Sequence, residues 1–241
     1  MTRRFLISSL AVGLLALGGL NAQAGEISIL PPGAPLSDFL APPPGNALNY
    51  AVVGPEPDTF STFTYSTSPV NSAPLAGDIT ITPYNSAGPE AGLKFSGAFS
   101  AAAGTTVDYA ITYVVTAPQG YLITNATLSG GFSTFGGTGT GSVIEYLLNP
   151  ANNSTVGTME ISSPSPPGVT SDTINFAGVN SIEVQKDIIL NGGSEGASIS
   201  IINQGFSSSV IPEPTSMALL GIGLSGLFTL RRLFRRTSVA G

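Results

Sequence analysis

The sequence predicts an all-β protein whose body is a single antiparallel β-sandwich-like domain. Short runs from Asp78 onward alternate apolar and polar residues with a period of two, which is typical of half-buried strands. Turn-forming residues separate these runs at short intervals, as they do in sandwiches. No run with the helical period of 3.6 residues competes with this pattern between residues 77 and 206. We expect a signal peptide, a Pro-rich lead-in and a short C-terminal transmembrane helix to flank the sandwich.

Residues 1–24 have the features of a secretory signal peptide. Two arginines precede an apolar run, and Ala22 and Ala24 occupy the small-residue positions of a cleavage site. The run is short for a membrane anchor, so we expect export with cleavage after Ala24. An uncleaved anchor and twin-arginine export are the alternatives to this interpretation.

Residues 25–76 are predicted to form a lead-in rich in Pro, Ser and Thr. Proline removes a backbone donor and restricts φ, so the repeated prolines disfavour continuous sheet or helix here. Two short runs, residues 49–53 and 59–65, alternate in the manner of strands. We expect one or two edge strands from this segment.

The body, residues 77–206, is predicted to contain nine strands. They are residues 78–82, 92–100, 106–117, 121–128, 142–148, 155–162, 173–176, 181–190 and 197–202. The run 106–117 carries apolar residues on both faces near its centre, which indicates a central strand. The Gly-rich stretch 130–141 is predicted to be a flexible connection, and residues 207–211 a polar linker.

Composition excludes several classes of function. Residues 25–211 contain two lysines and thirteen acidic residues, which gives a formal charge of −11. We therefore predict that this part of the chain does not bind nucleic acid, because such binding depends on Lys and Arg residues that neutralise phosphates. The chain has no Cys and no His, so disulfides, thiolate metal sites and His-based catalysis are impossible. We expect no enzymatic activity, no metal and no cofactor.

Lys94 and Lys186 are the two bases that a Ser–Lys catalytic pair could use within the body. Lys94 lies between Leu93 and Phe95, so it is expected to point outward from a half-buried strand. Lys186 has acidic neighbours on both sides along its strand. We interpret both lysines as solvated surface charges.

Paired carboxylates could in principle hydrolyse glycosides, since that reaction needs two acids at a set separation. Each candidate occupies a polar position of an alternating strand and is therefore expected to be an outward, solubilising charge. The candidates are Asp108, Glu145, Glu160 and Glu183.

Two surface properties stay open. Turns at residues 85–90 and 191–196 offer oxygen atoms that could bind calcium, although neither has the spacing of a calcium-binding loop. Asn125, Asn152 and Asn153 begin Asn-x-Ser/Thr sequences that match the glycan acceptor pattern.

The C-terminal segment 212–236 has three parts in a fixed order. A rigid acidic motif, Pro212-Glu213-Pro214, is followed by an uncharged span at 215–230. As a helix this span measures ~24 Å, which is short for a bilayer core of ~30 Å. The span is followed by a basic cluster, Arg231, Arg232, Arg235 and Arg236. Such a cluster favours the cytoplasmic side of a membrane, which places the acidic body outside.

In these three parts the C terminus resembles the PEP-CTERM sorting domain of exported bacterial proteins. The resemblance covers about 30 of the 241 residues. It implies recognition by an exosortase, an integral-membrane, cysteine transpeptidase-like enzyme that cuts near the Pro-Glu-Pro motif. Pro212, Glu213 and Pro214 would then be recognition positions and not catalytic residues. The resemblance also implies delivery to the cell surface or to a biofilm matrix, with exopolysaccharide as a candidate partner.

The sequence supports hypotheses about function from two different classes of protein. The first is a non-enzymatic surface or extracellular-matrix protein whose tail is a membrane sorting and processing signal. The second is an extracellular carbohydrate-binding or carboxylate-dependent carbohydrate-active protein. A third interpretation is a protein that its C-terminal span anchors permanently in the membrane.

Overall fold

The computed structural model describes residues 27–29, 33–40, 49–51, 58–85, 90–134, 137–163, 170–211, 222–223 and 225. Strands make up most of this part of the chain. The elements are β1 (Ile27–Ile29), β2 (Ala34–Pro35), α1 (Ser37–Leu40), β3 (Asn49–Ala51), β4 (Thr59–Ser68), a 3-10 turn (Ala76–Asp78), β5 (Thr80–Tyr84), β6 (Ala91–Ala101), β7 (Thr106–Thr116), β8 (Tyr121–Thr134), β9 (Thr140–Asn149), β10 (Ser154–Ser163), β11 (Ser171–Val179), β12 (Ser181–Asn191) and β13 (Ala197–Val210).

The strands form two sheets that pack face to face. The seven-stranded sheet has the order β1-β3-β4-β7-β12-β9-β10, and the six-stranded sheet has the order β11-β8-β13-β6-β5-β2. Neighbouring strands are antiparallel, except for the short parallel pair β1–β3. The all-β, sandwich-like fold that the alternation predicts is confirmed, and the nine predicted body strands correspond to β5 through β13.

The core lies between the sheets and follows the period-two pattern of the strands. In β7, alternate residues from Val107 to Val115 are buried, whereas their neighbours are partly exposed. β7 lies between β4 and β12, so its prediction as a central strand is correct. Phe95 and Phe99 of β6 contribute aromatic rings from the opposite sheet, and Phe99 packs edge-on against Tyr109 at 5.3 Å.

The predicted lead-in supplies four strands, β1 to β4, and part of the core. β4 pairs with β7 along most of its length, rather than lying at an edge. Phe60 and Phe63 are both buried, although residues three apart on a regular strand face opposite sides. A β-bulge between Ser61 and Thr64 resolves this conflict, because the extra residue turns both rings inward. Sequence alternation alone therefore understates the length and burial of β4.

Strand pairing extends beyond two predicted boundaries. Gly130 and Gly131 lie in β8 opposite Ile202 and Ile201, where a flexible connection is predicted. A Cβ on Gly130 would lie 2.6 Å from Cδ1 of Ile161, so glycine is used there for close packing. Residues 207–210, predicted as a linker, continue β13 and pair with β8 down to residue 121. Pairing with a long partner strand overrides the weak strand preference of Gly and Ser.

Candidate functional site

The sorting segment begins where strand β13 ends. Val210 pairs with Tyr121, and the backbone N–H of Ile211 donates a hydrogen bond to the carbonyl of Gly120 at 2.8 Å. The Ser208 hydroxyl is also bonded, at 3.1 Å, to the buried carboxylate of Asp58. The fold therefore holds the chain up to the residue before Pro212.

Most of the predicted terminal positions lie outside the described residues. These are the signal-peptide positions Ala22 and Ala24, the motif Pro212, Glu213 and Pro214, and the basic cluster Arg231, Arg232, Arg235 and Arg236. Their roles remain predictions. Within the predicted span, the structure describes Ile222, Gly223 and Ser225, which are helical. In the part of the chain that the structure describes, no helix is long and apolar enough to cross a membrane.

Polar side chains from four strands meet inside the sandwich. We call them the core polar cluster: Tyr113 of β7, Glu145 of β9, Lys186 of β12 and Gln204 of β13. Lys186 and Glu145 face each other across β12 and β9 and form a buried ion pair. The Lys186 Nζ also donates a hydrogen bond of 2.9 Å to Oε1 of Gln204, which belongs to the other sheet.

The predictions that Lys186 and Glu145 are solvated charges are wrong. Lys186 is 1% exposed and Glu145 is fully buried. The reason is strand parity, because Lys186 occupies the middle of the inward series from Ile182 to Leu190 on β12. Glu145 likewise lies between the buried Val143 and Leu147. By contrast, Lys94 is partly exposed, as predicted.

The core polar cluster is incompletely hydrogen bonded. Oε1 of Glu145, Nε2 of Gln204 and the hydroxyl of Tyr113 have no hydrogen-bond partner among the described residues. Such unpaired atoms are rare in protein interiors and call for a specific explanation. Gln204 and Tyr113 are not candidates in the sequence interpretation. Both residues stand at alternate positions of their strands that face the core, as Gln204 does between the buried Ile202 and Phe206. This position in the alternation is the signal that could have identified them.

Burial shifts the pKa values of this cluster toward the neutral forms. Burial lowers the pKa of the Lys186 amine, and the Glu145 carboxylate opposes part of this decrease. Burial raises the pKa of the Glu145 carboxyl, while Lys186 and Gln204 oppose that increase. The Tyr113 pKa lies well above its ordinary value because of burial and then because of the nearby Glu145 charge. Burial therefore brings the pKa values of Lys186 and Glu145 closer together, which lowers the cost of moving a proton between them.

The remaining predicted acids lie toward the surface. Glu160 is exposed, and Asp108 and Glu183 are partly exposed. Asp108 is not isolated, because it contacts Asp187 on the neighbouring strand. Burial, then the hydrogen bond with Asp108 and its charge, raises the pKa of Asp187 to about 6. No group of three potential metal-ligating side chains is found among the described residues.

A polar groove lies on the outer face of the seven-stranded sheet, at the β4 bulge. It has a volume of about 240 Å³, and the outward-facing residues that line it are Thr62, Thr64, Thr112, Val114 and Glu183. Thr62 adopts a φ of 53°, a left-handed conformation that is a genuine outlier for a β-branched residue. Strained residues of this kind concentrate at functional sites.

A row of side chains extends the groove across the sheet. Thr64, Thr112, Gln185 and Tyr146 occupy directly opposed positions on β4, β7, β12 and β9. Tyr146 is 43% exposed and is one of the large hydrophobic residues at the surface. The Gln185 amide donates a hydrogen bond of 2.8 Å to Glu183, which orients both polar groups. We call the groove together with Gln185 and Tyr146 the outer-face patch.

The fold and the terminal segment together define a β-sandwich protein that carries a C-terminal processing segment. The PEP-CTERM protein-sorting motif matches residues 210–236, which confirms the resemblance found in the sequence. The chain thus carries the sorting signal of exported proteins that an exosortase processes. None of the curated proteins matches this sequence.

Solved structures share a weak likeness with the chain. One is the carbohydrate-binding module TmCBM61 in complex with β-1,4-galactotriose, with a TM-score of 0.33, 10% identity and coverage of 62% of this chain and 88% of that one. Another is the enzymatically active domain of tailspike protein 4 of bacteriophage CBA120, with a TM-score of 0.25, 16% identity and coverage of 62% and 19%. At these TM-scores neither structure assigns a ligand or an activity to this chain.

Proposed function

We propose that this protein is a non-enzymatic component of the cell surface or extracellular matrix, delivered by its C-terminal signal. The observation that carries the proposal is the sorting motif at residues 210–236, placed directly after the last strand of the sandwich. The body contributes the exported material, and the tail determines where it is released.

Charge supports this division of roles. All six arginines lie in the two terminal segments, whereas residues 25–211 have a formal charge of −11. Arg231, Arg232, Arg235 and Arg236 would hold the end of the chain on the cytoplasmic side while the acidic body lies outside. We infer that residues 215–230 hold the precursor in the inner membrane until it is processed, since ~24 Å of helix is short for a bilayer core of ~30 Å.

Pro212, Glu213 and Pro214 would be the positions that the processing enzyme recognises. The test is mass spectrometry of both termini of the exported protein, in a bacterium with an exosortase and in the same strain without it. The expected mature protein begins at Gly25 and lacks Arg236 only when the enzyme is present. A Glu213→Gln variant is expected to reduce the processed fraction, whereas Glu195→Gln, in a turn of the body, is the matched control.

Two results would contradict this proposal. An intact Arg236 in all exported protein, with or without the enzyme, would show that the tail is not processed. If that protein also stayed in the inner membrane fraction, the permanent anchor would replace the sorting signal as the function of the span.

The outer-face patch favours a second candidate function, which is binding of a neutral or weakly charged polysaccharide. Threonine hydroxyls, the Gln185 amide and the Glu183 carboxylate offer the donors and acceptors that sugar hydroxyls require. The exposed Tyr146 ring offers an apolar face beside them. If the ligand is a polysaccharide of the extracellular matrix, binding it would be consistent with the proposed role as a matrix component.

Affinity electrophoresis against a panel of polysaccharides tests this second function. Tyr146→Ala is expected to weaken binding about tenfold, the equivalent of ~1.4 kcal/mol. Tyr121→Ala, on the other sheet, is the matched control. Unchanged binding by the Tyr146 variant would refute the proposed patch. Release of sugar that depends on Glu183 would instead show a carboxylate-dependent enzyme and overturn the non-enzymatic proposal.

A further inference from the structure

We propose that Lys186 and Gln204 become joined by an intramolecular amide bond across the sandwich, with Glu145 as the group that carries the proton. This covalent modification is independent of the sorting function. It would connect β12 of the seven-stranded sheet to β13 of the six-stranded sheet.

Geometry is the first support. The Nζ of Lys186 lies 2.9 Å from Oε1 of Gln204 and also contacts Oε2 of Glu145. The carbonyl carbon of Gln204 lies one C=O bond length, ~1.2 Å, from that oxygen. None of the three residues is more than 1% exposed, so packing holds the amine, the carboxamide and the carboxyl together and excludes water. Reacting groups held in this way gain the advantage of proximity.

The chemistry needs no external reagent. Lys186 as ammonium transfers one proton to the Glu145 carboxylate, which leaves a neutral amine and a carboxylic acid. The Nζ lone pair then attacks the Gln204 carbonyl carbon, and a new C–N bond forms. The Gln204 C–Nε2 bond breaks while protons pass from Nζ to the leaving nitrogen through Glu145. The products are a secondary amide, one ammonia molecule and the neutral acid of Glu145, so atoms and charge balance.

The unpaired atoms of the core polar cluster are the second support. A buried ion pair and an amide nitrogen without a partner are both costly in a core. Reaction removes the Gln204 Nε2, which has no hydrogen-bond partner among the described residues, and removes both charges. The resulting acid of Glu145 can donate a hydrogen bond to the new amide oxygen. The reaction therefore eliminates two unfavourable features of this core at once.

The rest of the sandwich supplies the setting. Three aromatic rings, those of Phe60, Phe63 and Phe95, surround Tyr113 with centroid separations of 5.2 to 6.1 Å. Such an apolar environment favours the neutral forms of an amine and a carboxyl group. The chain has no Cys, so disulfides cannot reinforce the exported protein. An amide between the sheets would provide such a covalent connection.

The test is intact-mass measurement and trypsin digestion of the exported protein after complete unfolding. The mass is expected to be lower than the processed sequence by one ammonia molecule. Residues 25–211 contain two trypsin sites, Lys94 and Lys186. Cleavage after Lys94 is expected to be complete and serves as the internal control, whereas cleavage after Lys186 is expected to be lost. Residues 186 and 204 then lie in one tryptic peptide that begins at residue 95. Because the amide closes a loop between them, fragmentation should release no backbone fragments from cuts between residues 186 and 204.

Several outcomes would overturn the proposal. One is an unmodified mass with full cleavage after Lys186. Another is the loss of one water molecule with an amide between Lys186 and Glu145. A third is the loss of ammonia at another position, such as Asn191-Gly192. Glu145→Gln keeps the side-chain volume and is expected to fold without forming the bond, while Glu160→Gln is the exposed control. A bond that forms normally in the Glu145 variant would refute its role as proton carrier. If that variant does not fold, the wild-type digestion still decides whether the bond exists.

Discussion

Two tyrosines on β7 allow a direct measurement of what a buried hydroxyl contributes to this fold. Tyr109 and Tyr113 lie four residues apart, both face the core, and neither is more than 1% exposed. The Tyr109 hydroxyl donates to the carbonyl of Ala73 at 2.6 Å or of Ser100 at 2.8 Å, and it accepts from the Ser100 N–H at 3.2 Å. The Tyr113 hydroxyl has no hydrogen-bond partner among the described residues. Phenylalanine at each position removes a single oxygen atom from nearly the same environment.

The expected changes have opposite signs. Tyr109→Phe leaves backbone groups of the core without their partner, which should lower the free energy of unfolding by ~2 kcal/mol. Tyr113→Phe removes a buried hydroxyl that is desolvated without compensation, which should raise that free energy by ~1 kcal/mol. For a domain of this size, the difference of ~3 kcal/mol corresponds to ~6–12 °C in Tm between the two variants.

Urea unfolding of the exported protein, followed by circular dichroism and tyrosine fluorescence, measures both changes. The urea slopes of the variants should equal that of the wild type, since the surface buried on folding is almost unchanged. Equal destabilisation by the two substitutions would refute the reasoning. It would mean that the Tyr113 hydroxyl donates to Glu145 in solution and that the core polar cluster is better satisfied than its geometry indicates.

Two further predictions concern the surface and the sheet interior. The pKa of Asp187 rises from 3.8 to about 6 on folding, so the free energy of unfolding should fall as pH increases through that interval. Asp108→Asn removes the neighbouring carboxylate, so it should raise the urea midpoint at pH 7.5 and leave it unchanged at pH 3.5. Gly92→Ala should destabilise the protein by at least ~3 kcal/mol, because its Cβ would lie 1.8 Å from the Gln204 carbonyl oxygen. Gly131→Ala, whose Cβ would meet open space, is the control and should be neutral by thermal unfolding.

Alternation of apolar residues was sufficient to predict the sheet strands of the body. It was insufficient for β4, because a bulge changes the parity between Phe60 and Phe63. A bulge depends on the partner strand, and no property of a single strand reveals it. The strands also continue past the predicted boundaries at Gly130 and Ser207, because pairing with a neighbouring strand and not local preference decides where these strands end.

The core polar cluster shows a different kind of error. Their charge predicts that Lys186 and Glu145 are exposed, but both stand in the inward series of their strands. Parity could have predicted that each is buried. The pairing of β12 with β9 could not be predicted, because a strand order with non-consecutive neighbours is a property of the whole fold. Gln204 completes the cluster from the other sheet, which only three-dimensional packing can reveal.

The strand that carries Gln204 into the core ends where the sorting motif begins, and this has consequences for processing. β13 pairs with β6 and β8, carries Gln204 into the core, and ends one residue before the hydrogen-bonded Ile211. Under the proposed processing, the recognition residues would follow directly after Ile211, the last residue that the sandwich holds by a backbone hydrogen bond. A cut at the Pro-Glu-Pro motif would leave β13 whole, so release would not alter the core. The serines at 207–209 resemble a flexible linker in the sequence, but they pair with β8 and are therefore part of the sheet. Under the proposed processing, the body would be held close to the membrane until the tail is cut.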